Sequence, residues 1–157
     1  MLNTKRLGVL VIAAAVAALT AANSWAASDL KLAPNLSYDD DSSPRFPIEG
    51  SEMSDALAPG EAAIIFFGTS NCWNTAREAE RLVELYPRYR NRVRFVVVDL
   101  NRVSAQQKPL VARYYRGYIP TIAVIDARGN LLYDRAGETA RTRGDTSKLQ
   151  ALLDSAR

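Results

Sequence analysis

Ala62-Ala63-Ile64-Ile65-Phe66-Phe67 is apolar at every consecutive position, and Val93-Arg94-Phe95-Val96-Val97-Val98-Asp99 forms a second run of strand length rich in β-branched residues. A strand with one wet face alternates apolar and polar residues, so unbroken runs predict strands buried on both faces of a sheet covered by helices. The chain between them is helical in period: Ala76, Ala79, Leu82, Val83 and Tyr86 recur three and four residues apart. Arg77, Glu78, Glu80, Arg81 and Glu84 fall between them, as on an amphipathic helix, and Pro87 with Arg88-Tyr89-Arg90-Asn91 ends or kinks it.

The rest of the chain extends this alternation. Ser104 to Arg116 reads as a helix beginning in earnest near Pro109, carrying Leu110, Val111, Tyr114 and Tyr115, with Gly117 as its terminator. Thr121-Ile122-Ala123-Val124-Ile125-Asp126, the turn Ala127-Arg128-Gly129-Asn130 and Leu131-Leu132-Tyr133-Asp134 form a hairpin. Asp145 to Ala156 closes as a helix with Leu149, Leu152 and Leu153 inward, and Ser51 to Leu57 fits a short helix capped by Ser51 and closed by Pro59-Gly60. Strands separated by helices pair in parallel and the hairpin adds an antiparallel edge, giving an α/β fold with a mixed central sheet and helices on both faces. At 157 residues, 48% of them hydrophobic, the chain suits a single domain.

Lys5 and Arg6 precede an apolar stretch from Leu7 to Ala22 that ends in Asn23-Ser24-Trp25-Ala26-Ala27, the pattern of a secretory signal peptide. Small side chains at Ser24 and Ala26 place cleavage after Ala26. The alternative is an uncleaved anchor, but roughly 16 residues fall short of the ~20 needed to span a bilayer. The expected organisation is a signal peptide over 1–26, an irregular linker or arm over 27–50, and one domain over 51–157. The expected location is exported: periplasmic in a bacterium, otherwise secreted. Removing Lys5 and Arg6 from the 20 basic residues leaves 18 against 17 acidic ones, so the mature charge gives no case for nucleic acid. Membrane contact is expected only through an uncleaved signal, and Arg141 with Arg143 makes at most a small basic patch.

The chain contains no histidine. Cys-His and Ser-His-Asp catalysis are thereby excluded, and a metal site would lack its commonest ligand, so no metal and no cofactor are expected. Asp39-Asp40-Asp41 lacks the spaced ligands and glycine of a calcium loop and reads as a solvated face. Cys72 is the sole cysteine, so any disulfide it makes is intermolecular or with a small thiol. A lone cysteine is commonly an inert buried side chain; this one sits where a strand turns into a helix, and the unpaired N–H groups of a first helical turn favour a thiolate.

Three features in order carry a resemblance: Phe67 five residues ahead of Cys72, the Val93–Asp99 strand, and Tyr114-Tyr115-Arg116-Gly117-Tyr118-Ile119-Pro120-Thr121 before the hairpin. From about Ser51 to Arg157 the chain resembles the thioredoxin family, which implies a thioredoxin-like three-layer sandwich. The resemblance implies that Cys72 is the nucleophile and that Pro120 is a cis-proline beside it, with the Ile119 backbone free to pair with an extended substrate. Trp73 and Asn74 would be exposed at the helix start. There Trp73 forms a substrate-contacting rim, or Asn71 or Asn74 merely caps the helix. Tyr114, Tyr115 and Tyr118 read as packing residues, and Asp99 as a strand terminator.

The family's Cys-x-x-Cys appears as Cys72-Trp73-Asn74-Thr75, the tryptophan before the cysteine is Asn71, and the buried acid six residues earlier is Phe66. Thr75 cannot release a mixed disulfide, so an external thiol has to do so, although its hydroxyl is placed to hydrogen-bond a Cys72 thiolate. The implied function is monothiol thiol-disulfide exchange through a mixed disulfide at Cys72, with protein or low-molecular-weight thiols as partners. The alternative is a non-catalytic thioredoxin-fold binding or assembly module with a degenerate site. Oligomeric state is left open.

Overall fold

The computed structural model describes residues 30–50, 56–136 and 145–156. The expected leader over 1–26, residues 51–55 of the expected Ser51–Leu57 helix, and the Arg141/Arg143 pair lie outside the described residues.

The elements run β1 (Lys31–Leu32), β2 (Ile48–Glu49), β3 (Ala63–Gly68), α1 (Trp73–Tyr89), β4 (Arg94–Asp99), α2 (Lys108–Tyr114), β5 (Thr121–Ile125), β6 (Leu131–Ala136) and α3 (Ser147–Ser155). Four strands form the main sheet in the order β4-β3-β5-β6. β3 and β4 are parallel, joined through α1, with Ala63 opposite Arg94 and Gly68 opposite Asp99. β5 is antiparallel to β3, and β6 to β5 through the Ala127–Asn130 turn.

The unbroken apolar runs divide between two cores, as covered strands require. Ile64, Phe66, Phe95, Val97, Ile122 and Val124 point to one face, where α1 contributes Ala79, Leu82, Leu85, Tyr86 and Tyr89, and α3 contributes Leu149 and Leu153. Ile65, Phe67, Val96, Val98, Ala123 and Ile125 point to the other, against Leu110 and Tyr114 of α2. Each strand thus alternates between two apolar layers, which is why its sequence does not alternate. This is the expected α/β sandwich, a mixed central sheet with helices on both faces.

Helix α1 includes Pro87 and ends at Tyr89, within the expected Arg88–Asn91 stretch, closing with Arg90 N–H on the Tyr86 carbonyl at 2.9 Å. Two local expectations are corrected. Helix α2 is shorter than Ser104–Arg116: Gln107 is buried and its amide Nε2–H donates to the Val97 carbonyl at 3.0 Å, tying that turn to the sheet before the helix starts. Glu78 and Arg81 are buried rather than solvated. Arg81 Nη1 meets Glu78 Oε2 at 2.9 Å and Arg81 Nη2 donates to the Asp145 carbonyl, so the chain entering α3 covers a flank that the period assigns to water.

Residues 30–50, within the stretch read as a linker or arm, pack onto the domain. Strands β1 and β2 pair antiparallel, and Leu30, Phe46 and Ile48 join the first core, with the Phe46 and Phe66 rings edge to face at 6.3 Å. Between the two strands the chain crosses to the start of α1.

Candidate functional site

The site forms where three segments meet one end of the sheet. β3 ends at Gly68 and leads through residues 69–71 into α1, while β5 begins at Thr121, which pairs with Phe67. The loop after β3 and the loop before β5 therefore emerge at the same end, Cys72 on one and Pro120 on the other. The Phe67 and Tyr115 rings stack beneath that end at 5.8 Å.

Cys72 is the N-cap residue of α1, with extended backbone at φ −140° and ψ 109°; its carbonyl accepts the first helical bond from Ala76 N–H at 3.1 Å. The thiol is free and half-buried, and the side chain makes no capping hydrogen bond. Asn71 just before it has φ +54°. That left-handed conformation suits asparagine far better than a bulky aromatic, which is a physical reason for asparagine here where the resemblance implies tryptophan.

On the facing loop the Ile119–Pro120 peptide bond is cis. Pro120 is buried, whereas Ile119 is 38% and Tyr118 66% exposed. Tyr118 thus departs from its expected packing role, while Tyr114 is buried. The Thr121 hydroxyl donates to the Tyr118 carbonyl at 2.6 Å, bracing the loop from inside the sheet.

Thr75 is fully buried, and its hydroxyl has no hydrogen-bond partner. The bond to Cys72 that the spacing suggests is not formed. Packing explains the rotamer: the Thr75 methyl lies over Gly68, where a Cβ would stand only 2.4 Å from it. Trp73 is half-buried, with the Arg77 guanidinium 5.2 Å from the centre of its ring. Phe66 lies wholly in the first core, so the position implied for a buried acid is hydrocarbon.

Neither Asn71 nor Asn74 caps the helix. Trp73 N–H donates to Asp41 Oδ1 at 3.1 Å, and Arg77 Nε–H donates to the Tyr38 carbonyl. The acidic triplet read as a solvated face thus supplies the capping group of α1 from 32 residues away. Hydrogen bonds from Ser37 and Ser42 hold the Asp40 carboxyl below the ordinary carboxylate range, and burial with the nearby Glu80 charge pushes the Tyr38 phenol up. The available sequence signal was the cysteine itself: a helix whose N-cap residue is a poor capping side chain needs its acceptor from elsewhere. Among the described residues no group of three acidic, cysteine or histidine side chains is arranged to hold a metal ion.

No protein-family model matches the chain, and no curated protein matches it either. Among solved structures the chain is similar to the germline-specific thioredoxin Deadhead of Drosophila melanogaster: 16% identity over 62% of this chain and 83% of that one, TM-score 0.47. It is similar to a thioredoxin of Fasciola hepatica at 19% identity over 62% of this chain and 83% of that one, TM-score 0.47. A candidate thiol:disulfide interchange protein DsbE of Chlorobium tepidum aligns at 19% identity over 62% of this chain and 81% of that one, TM-score 0.48. Likenesses this distant concern the fold and carry no substrate or partner with them.

Proposed function

We propose that this chain is an exported thiol-disulfide exchange protein that works with one thiol, Cys72. The observation that carries the reading is a free, half-buried cysteine at the N-cap of α1, at the same sheet end as a cis-proline loop whose Tyr118 and Ile119 are exposed. The Cys72 thiolate attacks one sulfur of a substrate disulfide; a bond forms between them and the other substrate sulfur leaves as a thiolate. A second, external thiolate then attacks the substrate sulfur of the mixed disulfide, expelling the Cys72 thiolate and leaving the substrate sulfur joined to the external thiol, because the Thr75 hydroxyl cannot act as the resolving nucleophile. Ile119 and Pro120 hold the substrate strand, Trp73 with its stacked Arg77 edges the site, and the partners are protein or low-molecular-weight thiols. Export rests on the leader pattern of residues 1–26 and places Cys72 where disulfides persist.

A second reading has its own observation. The Thr75 hydroxyl is not turned to the sulfur and the first amide of α1 is already occupied by Asp41, which favours a module that holds a partner peptide without covalent chemistry. Trapping separates them. Wild type and Cys72→Ser are incubated with disulfide-bonded protein substrates, quenched with acid and resolved without reductant. Exchange predicts adducts that disappear with the thiol and with added reductant; identical partners recovered in both proteins, with no adduct, overturn it.

A further inference from the structure

We propose that Asp41 restrains Cys72: the carboxylate of the 37–43 loop sits on the first amide of α1 and opposes the thiolate that the same helix end would otherwise stabilise. The inference rests on the exchange reading above and concerns the regulation of that site.

The first amides of a helix have no partners within the helix, and an anion placed among them is stabilised both by hydrogen bonding and by the helix dipole. Cys72 precedes Trp73, so the Trp73 N–H is the amide adjacent to the thiol, and it is donated to Asp41 Oδ1 at 3.1 Å. Cys72 itself makes no capping bond. The carboxylate therefore occupies the helix end at whose N-cap the thiol stands. Ionising the thiol adds a second negative charge to the same helix end.

The restraint is held in place by structure. Ser43 is buried, and its hydroxyl accepts from Ser37 N–H at 2.9 Å, closing the loop. Arg77 Nε–H on the Tyr38 carbonyl pins the loop to α1, and Phe46 and Ile48 root its far side in the core. Among the charges at this end, Asp39 accepts from the Ser37 hydroxyl at 2.9 Å and Asp40 from Ser42 N–H at 3.0 Å. On α1, Arg77 is committed to Tyr38 and the Trp73 ring, and Glu80 acts on Tyr38. Arg116 leads into the facing loop, four residues before Pro120. Among the described residues, the carboxylate bonded to the first amide of α1 is that of Asp41. Loosening the loop, by a partner that binds it or by substitution, removes that charge from the helix end.

The test measures rates of Cys72 modification in the full chain at pH 7 and low ionic strength. The reagents are neutral iodoacetamide and a pair of methanethiosulfonates, one cationic and one anionic. Asp41→Asn keeps an acceptor oxygen on Trp73 N–H and removes the charge; Asp41→Ala removes both. The proposal expects Asp41→Asn to raise the iodoacetamide rate about two- to fivefold, the size of a single charge at a helix terminus. It also expects a lower ratio of cationic to anionic reagent rates, and a gain that shrinks in 0.5 M salt. A purely structural cap would leave Asp41→Asn at the wild-type rate and ratio and alter only Asp41→Ala. Either that pattern, or a thiol equally unreactive in all three proteins, overturns the proposal. If Asp41→Asn speeds alkylation while no Cys72-dependent mixed disulfide forms in the trapping experiment, the exchange reading fails and the restraint stands. Equal rates alongside normal trapping mean the reverse.

Discussion

Replacing Gly68 by alanine tests how β3 and α1 are fitted together beneath the site. The added Cβ would lie 2.4 Å from the Thr75 methyl and 3.2 Å from two carbons of the Phe66 ring. Carbon atoms in contact sit roughly 3.5–4.0 Å apart, so the methyl has to retreat by about an ångström. It cannot do so by rotation alone, because threonine is stiff at χ1 and this one is fully buried in the first turn of α1. Overpacking of this kind costs about 1–3 kcal/mol. Against it stands the loss of glycine's conformational freedom in the unfolded chain, about 0.5–1 kcal/mol in favour of alanine inside a strand. Gly68→Ala should therefore lose about 1–2 kcal/mol in urea unfolding followed by circular dichroism. Thr75→Ser deletes the opposing methyl and should cost about 1 kcal/mol alone, the value of one buried carbon. Combined, the two should be less destabilising than their sum by about 1 kcal/mol or more, since each removes the other's problem. A Gly68→Ala protein with wild-type stability, or a penalty undiminished in the Thr75→Ser background, would refute the packing account.

Two further outcomes follow from polar groups held inside the domain. Glu78 and Arg81 are both buried and bonded to each other, so Arg81→Met removes the guanidinium from a buried carboxylate and should destabilise by up to about 3–5 kcal/mol in the same unfolding assay; replacing both by apolar residues should recover much of that loss. In the β5–β6 turn the Asp126 carboxylate accepts Asn130 Nδ2–H at 2.9 Å, Asn130 N–H at 2.8 Å and Arg128 N–H at 2.9 Å. These bonds, the Asn130 side chain's first, hold its carboxyl below the ordinary range. A depressed folded-state pKa contributes stability that is complete above the unfolded value near ~3.9 and is lost as pH falls below it. Thermal melts between pH 7 and pH 2 should therefore drop more steeply for wild type than for Asp126→Asn, and parallel curves would count against this turn.

Most of the architecture was legible because it is encoded locally. Consecutive apolar residues mark strands covered on both sides, the three-and-four spacing of Ala76 to Tyr86 marks a helix, and Gly117, Pro120 and the Ala127–Asn130 turn punctuate the second half. The same patterns located Cys72 at a strand-to-helix turn and Pro120 ahead of a strand, and both are found there. Where local pattern misled, the three-dimensional surroundings of the side chain had decided its place. Glu78 and Arg81 fall on the polar side of the helical period and are buried because the chain entering α3 crosses that flank. Tyr118 is aromatic and yet exposed, in the loop that leads into Pro120. Thr75 is one turn from Cys72 and still does not bond to it, because its rotamer answers to packing on Gly68.

The amino-acid order by itself determined which segments are strands and helices, which faces they bury, and that a single thiol stands at the mouth of the first long helix. Periodicity and turn chemistry are properties of neighbouring residues, and they need nothing beyond the chain to be read. Tertiary structure alone decided what stands beside that thiol. The contact of Asp41 with the Trp73 amide, the pinning of Tyr38 by Arg77 and the meeting of the Cys72 and Pro120 loops all join residues more than 30 positions apart. Such contacts exist only once the two cores have closed and fixed which loops share an end of the sheet.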